Sequence, residues 1–318
     1  ASVLKAMRAG LCEYLERPPD LDRLEEVINK VASAKHEAAS QGQLITVVGS
    51  AGGVGATLLA TNLAVELADL QTKAGRPDSV ALVDLDYRFG QIATCLDLQP
   101  AFTLADLCET HEQLDRQIID KAAIKHDTGL HVLARPHRLE QADMITAAHT
   151  AAVLNALQEI YDYIVVDGPY RFDPSARQVF DLADVNYLVI QLLVPAIRNA
   201  QRILEAMRTG GYNVDRVALI CNRHSKANNQ LTVEHAEATL GRNVAMVVPE
   251  DWKACSTVLN LGEPLCISNA KRPVRLAIRE LAQKTRDPQG YAQQYKGGHK
   301  TGGLLGKMKI LSGSSAPT

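Results

Sequence analysis

Residues 44–64, Leu44-Ile45-Thr46-Val47-Val48-Gly49-Ser50-Ala51-Gly52-Gly53-Val54-Gly55-Ala56-Thr57 followed by LLATNLA, decide how this chain folds. Leu44 to Val48 is an apolar run of strand length and reads as a buried strand. Residues 49–55 contain four glycines among seven, which predicts a tight turn. Ala56-Thr57 then opens a helix that continues past Leu63, Ala64 and Leu67. Strand, glycine turn and helix together form a cradle for phosphate. Successive backbone N–H groups point into one concavity, and the helix N-terminus adds positive potential. Glycine matters because a side chain would hold a phosphate away from the backbone. A turn of the same composition that binds nothing would satisfy the same pattern.

Outward from this stretch, strands and helices alternate. Strands are expected at Val80–Asp86, Leu130–Ala134, Tyr163–Pro169, Val185–Leu193, Arg216–Cys221 and within Gly241–Val248. Helices are expected around Leu104–Leu107, around Leu114–Ile119, and over Thr150–Ile160 and Ala196–Thr209. This alternation predicts an α/β fold, a doubly wound, mostly parallel sheet of seven or eight strands with helices on both faces. Ligands of such sheets sit beyond the carboxyl ends of the strands. The glycine turn, Asp84, Asp86 and Asp167 all fall at such ends. Period-two alternation would turn Asp84 and Asp86 to the same side.

Bulk properties narrow the function. The 318 residues are 46% hydrophobic, enough for one large core. A net charge of −2 gives no global basic field, and no dense Lys/Arg cluster appears between residues 42 and 287, so nucleic acid is not an expected partner. No apolar run approaches membrane-spanning length, and the first residues do not read as a secretory signal. The six cysteines, at 12, 95, 108, 221, 255 and 266, lack paired metal spacing and read as reduced core thiols of a cytoplasmic protein.

The glycine turn resembles the deviant Walker A loop of the MinD/ParA family of P-loop ATPases, which reads lysine-glycine-glycine-any-glycine-lysine-threonine. Gly52, Gly53, Gly55 and Thr57 keep its skeleton. Ala51 and Ala56 stand where the family has its two lysines. The resemblance implies ATP and magnesium as ligands, with Gly52, Gly53, Val54, Gly55, Ala56, Thr57 and Asp84 lining the phosphates. It implies magnesium at Thr57 and, through water, at Asp167, the Walker B position, with Asp167-Gly168-Pro169 as switch II. It makes Asp86 the residue that positions the attacking water. Asn222-Arg223 and Pro249-Glu250-Asp251 resemble the adenine-contacting segments. Asn222 would offer a donor and an acceptor to the base edge, and the Arg223 guanidinium would stack on the ring.

A narrower resemblance follows Asp86. Asp86-Tyr87-Arg88-Phe89-Gly90-Gln91-Ile92-Ala93 through Leu96-Asp97-Leu98-Gln99-Pro100 is similar to the CpaE/TadZ pilus-assembly branch, as are Leu133–Pro136 and Asn260–Pro264. That branch carries a receiver-like domain ahead of the ATPase domain. Residues 1–41 are similar to the last third of such a domain plus a linker. The expected division is therefore a receiver-like remnant at 1–41, a MinD/ParA-like domain at 42–287, and a basic disordered tail at 288–318. The remnant suggests a chain cut inside its first domain. In the tail, Leu304 to Leu311 mixes apolar residues with lysines and suggests a peripheral inner-membrane contact. The resemblance implies a nucleotide-binding scaffold for Tad/Flp type IV pilus assembly at the cell pole, with pilus secretion machinery proteins as partners and a homodimer as its form. A working MinD/ParA-type ATPase switch that dimerises with ATP is the alternative.

Overall fold

A computed structural model describes residues 41–287, apart from 110–113, 169–173, 226 and 228–229. The receiver-like remnant, Cys12, Pro169 and the basic tail with Leu304–Leu311 lie outside the described residues.

The described chain runs β1 (Gln43–Gly49), α1 (Ala56–Lys73), β2 (Val80–Asp84), α2 (Ile92–Cys95), α3 (Leu104–Glu109), α4 (Arg116–Ala122), β3 (Ile124–Lys125), β4 (His131–Leu133), α5 (Leu139–Ala142) and α6 (Ala147–Ile160). It continues β5 (Tyr163–Asp167), α7 (Pro174–Leu182), β6 (Val185–Ile190), α8 (Val194–Thr209), β7 (Val217–His224), α9 (Val233–Leu240), β8 (Val244–Pro249), α10 (Trp252–Leu261), α11 (Leu265–Ser268) and α12 (Pro273–Arg286). The eight strands form one sheet in the order β3-β4-β2-β5-β1-β6-β7-β8. Every pair is parallel except β3–β4 at one edge. The expected mostly parallel, two-faced sheet is what forms.

The central strands are buried on both faces, and their near-continuous Val, Ile and Leu content follows from that. On one face Ile45, Val47, Leu82, Val165, Val189 and Ile220 pack under α1, α10 and α12. Alternate residues of the same strands pack on the other face. Leu44, Val83 and Val166 meet α3, α4 and α6, while Val48, Leu188 and Leu219 meet α7, α8 and α9. Helix α1 is not a surface helix with one apolar stripe: thirteen of its eighteen residues are buried, since α12 covers the side that the sheet does not. Its alanines at 60, 64 and 68 permit that close packing. Among the described residues no helix is long and apolar enough to cross a membrane.

Several boundaries differ from the sequence reading, and one short strand was not expected. Strand β2 ends at Asp84, not Asp86, because the Asp84 carboxylate accepts the N–H groups of Asp86 and Ile92 and bends the chain. Strand β6 ends at Ile190, and α8 begins at Val194 with a proline in its first turn, where a missing N–H costs nothing. The two-residue strand β3 pairs antiparallel with β4, and a segment that short carries no readable period.

Candidate functional site

The glycine turn lies where β1 meets α1, near the middle of the carboxyl edge of the sheet. Gly53 and Gly55 have φ of 76° and 90°, a region that side chains disfavour. A Cβ built on Gly52 or Gly53 would meet no atom within 4 Å, so both face open space. A Cβ on Gly55 would lie 2.5 Å from Nδ2 of Asn222. Helix α1 has neither a side-chain cap nor an acid in its first turn, the condition under which an external anion is favoured there. Thr57 is half-buried in that first turn.

The side chains of the two alanines pack on the core. Ala56 is 5% exposed and joins the cluster beneath α1, against which Ala51 also packs. The two arginines best placed in sequence to supply a substitute charge are bonded to other groups. Arg88 pairs with Asp143, and Arg135 donates from Nε to the Gly90 carbonyl at 2.8 Å and from Nη1 to that of Pro136.

Strands β2 and β5 bring Asp84 and Asp167 into register as neighbours, each 1% exposed. Burial, reinforced by the negative charge of Asp167, holds the Asp84 carboxyl well above the usual carboxylate range. Two buried carboxylates side by side favour either a proton or a cation between strand ends. Asp86 does not share that position. Its Oδ1 accepts the N–H groups of Phe89 at 3.1 Å and Arg88 at 3.4 Å, capping the turn that β2 enters. The expected same-side pairing with Asp84 required β2 to continue, and it stops.

Of the proposed base-contacting residues, Asn222 and Asp251 are also bonded within the protein. Asn222, 7% exposed, donates from Nδ2 to the Val54 carbonyl at 2.8 Å. Arg223 is exposed and left-handed, with φ of 51°. Pro249 closes β8 opposite His224. Asp251 caps α10 through Ala254 N and takes both Nε and Nη2 of Arg272 at 2.6 Å. That guanidinium holds the Asp251 carboxyl below its ordinary range.

Sequence reading missed Gln191, whose Nε2 donates to the Gly53 carbonyl at 3.3 Å, and Gly90, whose missing side chain leaves room for the Asp84 carboxylate. Gln191 fell inside the strand expected over Val185–Leu193 and so carried no strand-end signal, whereas Asn222 was marked as a polar residue following a buried strand. The five described cysteines are free. Burial pushes Cys95 and Cys221 to about 11 and Cys108 to about 12, so these three are protonated thiols.

The residues present suit a magnesium-bound polyphosphate in part. The open glycine turn and uncapped helix suit the phosphates. Thr57 and Asp167 are hard oxygen donors of the kind magnesium takes. Among the described residues no group of three His, Cys, Asp or Glu side chains holds a metal unaided, so ligand oxygens and water must complete the shell.

Fold and site together define a P-loop nucleotide-binding domain of the α/β class. Residues 42–211 match the family model AAA_31, described as an AAA domain. The chain belongs to this family, among the MinD/ParA P-loop ATPases. It is 24% identical to the septum site-determining protein MinD of Thermotoga maritima over 250 residues, covering 77% of this chain and 88% of that one. The ParA family ATPase of Chlorobium tepidum superposes with a TM-score of 0.71 at 22% identity, over 77% of this chain and 98% of that chain. MinD of Pyrococcus horikoshii, solved with Mg-ADP, superposes at 0.66 with 19% identity, over 78% and 98%.

Proposed function

We propose that the protein is a nucleotide-binding scaffold of the MinD/ParA kind, serving Tad/Flp type IV pilus assembly, with weak Mg-ATP binding and slow or absent hydrolysis. One observation carries the reading: Ala51 and Ala56 sit in or against the core where the family places cations. A charge-assisted hydrogen bond is worth about 1.5–3 kcal/mol, so losing one weakens phosphate contact roughly 10- to 100-fold. Hydrolysis loses more, because a transition-state cation contributes about 10³–10⁵ in rate. Bound ATP would supply the phosphoryl group and bound magnesium would neutralise its charge. The chain's own part is to present loop N–H groups, the Thr57 hydroxyl, and the carboxylates of Asp84, Asp86 and Asp167.

The pilus assignment is supported by the segment from Asp86 to Pro100 and by the similarity of residues 1–41 to a receiver-like domain. Pilus secretion machinery proteins are the proposed partners. Recruitment is to the inner membrane at the cell pole, the protein acts as a homodimer, and nucleic acid is not a partner. The retained carboxylates Asp84 and Asp167, in register at the strand ends, favour the second reading, a working ATPase switch.

Titration with ATP and ADP, with and without magnesium, together with steady-state phosphate release, separates the two. Measurable binding with little turnover is expected. Turnover at ordinary enzyme rates, abolished by Asp86→Ala, would establish the switch.

A further inference from the structure

Two neutral amide side chains reach the glycine turn from neighbouring strand ends. Asn222, at the end of β7, donates to the Val54 carbonyl, and Gln191, just beyond β6, donates to the Gly53 carbonyl. A trans peptide is planar, and its C=O and N–H point in opposite directions. Holding the Val54 carbonyl therefore fixes the direction of the Gly55 N–H. Holding the Gly53 carbonyl fixes that of the Val54 N–H. Both carbonyls are drawn toward the ends of β6 and β7, so both N–H groups point away from those strands.

We infer that Asn222 and Gln191 are positioning residues for the phosphate cradle, and that Asn222 acts through the loop rather than by reading a base. The inference rests on the reading of the loop as a polyphosphate site. Three features of Asn222 support it. One of its two amide N–H groups is committed to Val54 at 2.8 Å. It is 7% exposed, which leaves little of it for a ligand. It also packs so closely on Gly55 that only a glycine fits there. Such a clamp matters more here than in a loop with lysines. With alanine at 51 and 56, the backbone donors carry most of the attraction, and their value depends on being oriented before the anion arrives. Gln191 is the lesser clamp, since its bond is longer and exposed.

The test compares ATP with inorganic tripolyphosphate, which has the phosphates and no base, both at fixed magnesium. Asn222→Ala should weaken both by about tenfold, the loss expected for one buried hydrogen bond. Asn222→Asp, which sets an oxygen against the Val54 carbonyl, should weaken both at least as much. Gln191→Ala should weaken both by about threefold or less. Hydrogen exchange of the Gly55 and Val54 amides in the ligand-free protein should accelerate in the matching variant, with β1 amides unchanged. A merely structural role would lower the melting temperature without that local signature. Loss of ATP binding alone would make Asn222 a base reader and overturn the inference, as would unchanged binding of both ligands. If the wild-type protein binds neither ligand, the polyphosphate reading fails. Unchanged Gly55 exchange in Asn222→Ala would then remove the clamp as well. Should Asn222→Ala not fold, Gln191→Ala carries the same comparison through the Val54 amide.

Discussion

At residue 90 the fold admits only a hydrogen atom. A Cβ there would stand 2.1 and 2.2 Å from the two carboxylate oxygens of Asp84. Gly90→Ala must displace either the carboxylate or the turn that Asp86 caps. It should cost about 1–3 kcal/mol, the usual penalty of overfilling a packed site. A urea titration at constant slope measures it. The cradle glycines, Asp84 and Asp167 were legible in the sequence because burial and strand ends leave a pattern in the chain itself. Asp86, Asn222 and Asp251 also make bonds within the protein that the sequence did not announce. The Asp86 assignment assumed that β2 ran two residues further than it does. Asp251 sits just before Trp252-Lys253-Ala254, and its side chain caps the helix that starts there, a role the local sequence also signals. The bond from Asn222 to Val54 spans 168 residues, and no local rule encodes it.

Among the elements, α1 and α12 are joined by charge inside the core. Glu66, with a side chain 2% exposed, takes Nε and Nη2 of Arg275 at 2.6 and 3.1 Å and Nη1 of Arg279 at 2.6 Å. Arg279 also reaches Asp69 at 2.7 Å. Removing Glu66 leaves the largely buried Arg275 guanidinium without a carboxylate and leaves Arg279 with Asp69 alone. Glu66→Ala should therefore destabilise the protein by about 3–5 kcal/mol, more than the loss of any one exposed pair in the fold. Glu66→Ala together with Arg275→Ala should cost less than the two singles added, and a double-mutant cycle in urea reads the difference. The alternation of strand and helix made the layers readable in advance. The α1–α12 clamp was not readable, because its partners are more than two hundred residues apart.

For the whole molecule, pH and association follow from its charges and surface. Burial holds the imidazoles of His126 and His131 below the ordinary value of 6.5. In the unfolded chain both take protons near 6.5, while in the folded state they resist until lower pH. Their contribution to stability is complete above 6.5 and is lost as pH falls through 6.5 toward the lowered folded values. The urea midpoint should fall between pH 7.5 and 5.5, and His131→Asn should flatten that slope. Association is the second matter. The carboxyl edge exposes Phe89 and Trp252, each 67% accessible, along with Leu193 and Val194. Ala51 offers no charge to a second copy. ATP then has little preference for dimer over monomer, and a ligand without preference shifts no equilibrium. Sedimentation at several concentrations should give the same dimer fraction with and without Mg-ATP. A dimer that forms only with Mg-ATP would show that another residue supplies the missing contact.

The strand order also sets a timetable for biosynthesis. β1 and β2 do not pair with each other; β5 lies between them, and β6 closes the other side of β1. The registers join Gln43 to Tyr163 and Ile45 to Val185, so the ribosome must add more than a hundred residues before β1 gains its first neighbour. At ordinary translation rates that interval is roughly 6–24 s. Until then β1 has two bare, apolar edges, and β2, which can pair with β4 once residues 131–133 are made, keeps one, the condition that invites pairing with other nascent chains. Holding chaperones therefore have their work on this protein early, and the cradle is among the last parts to take shape.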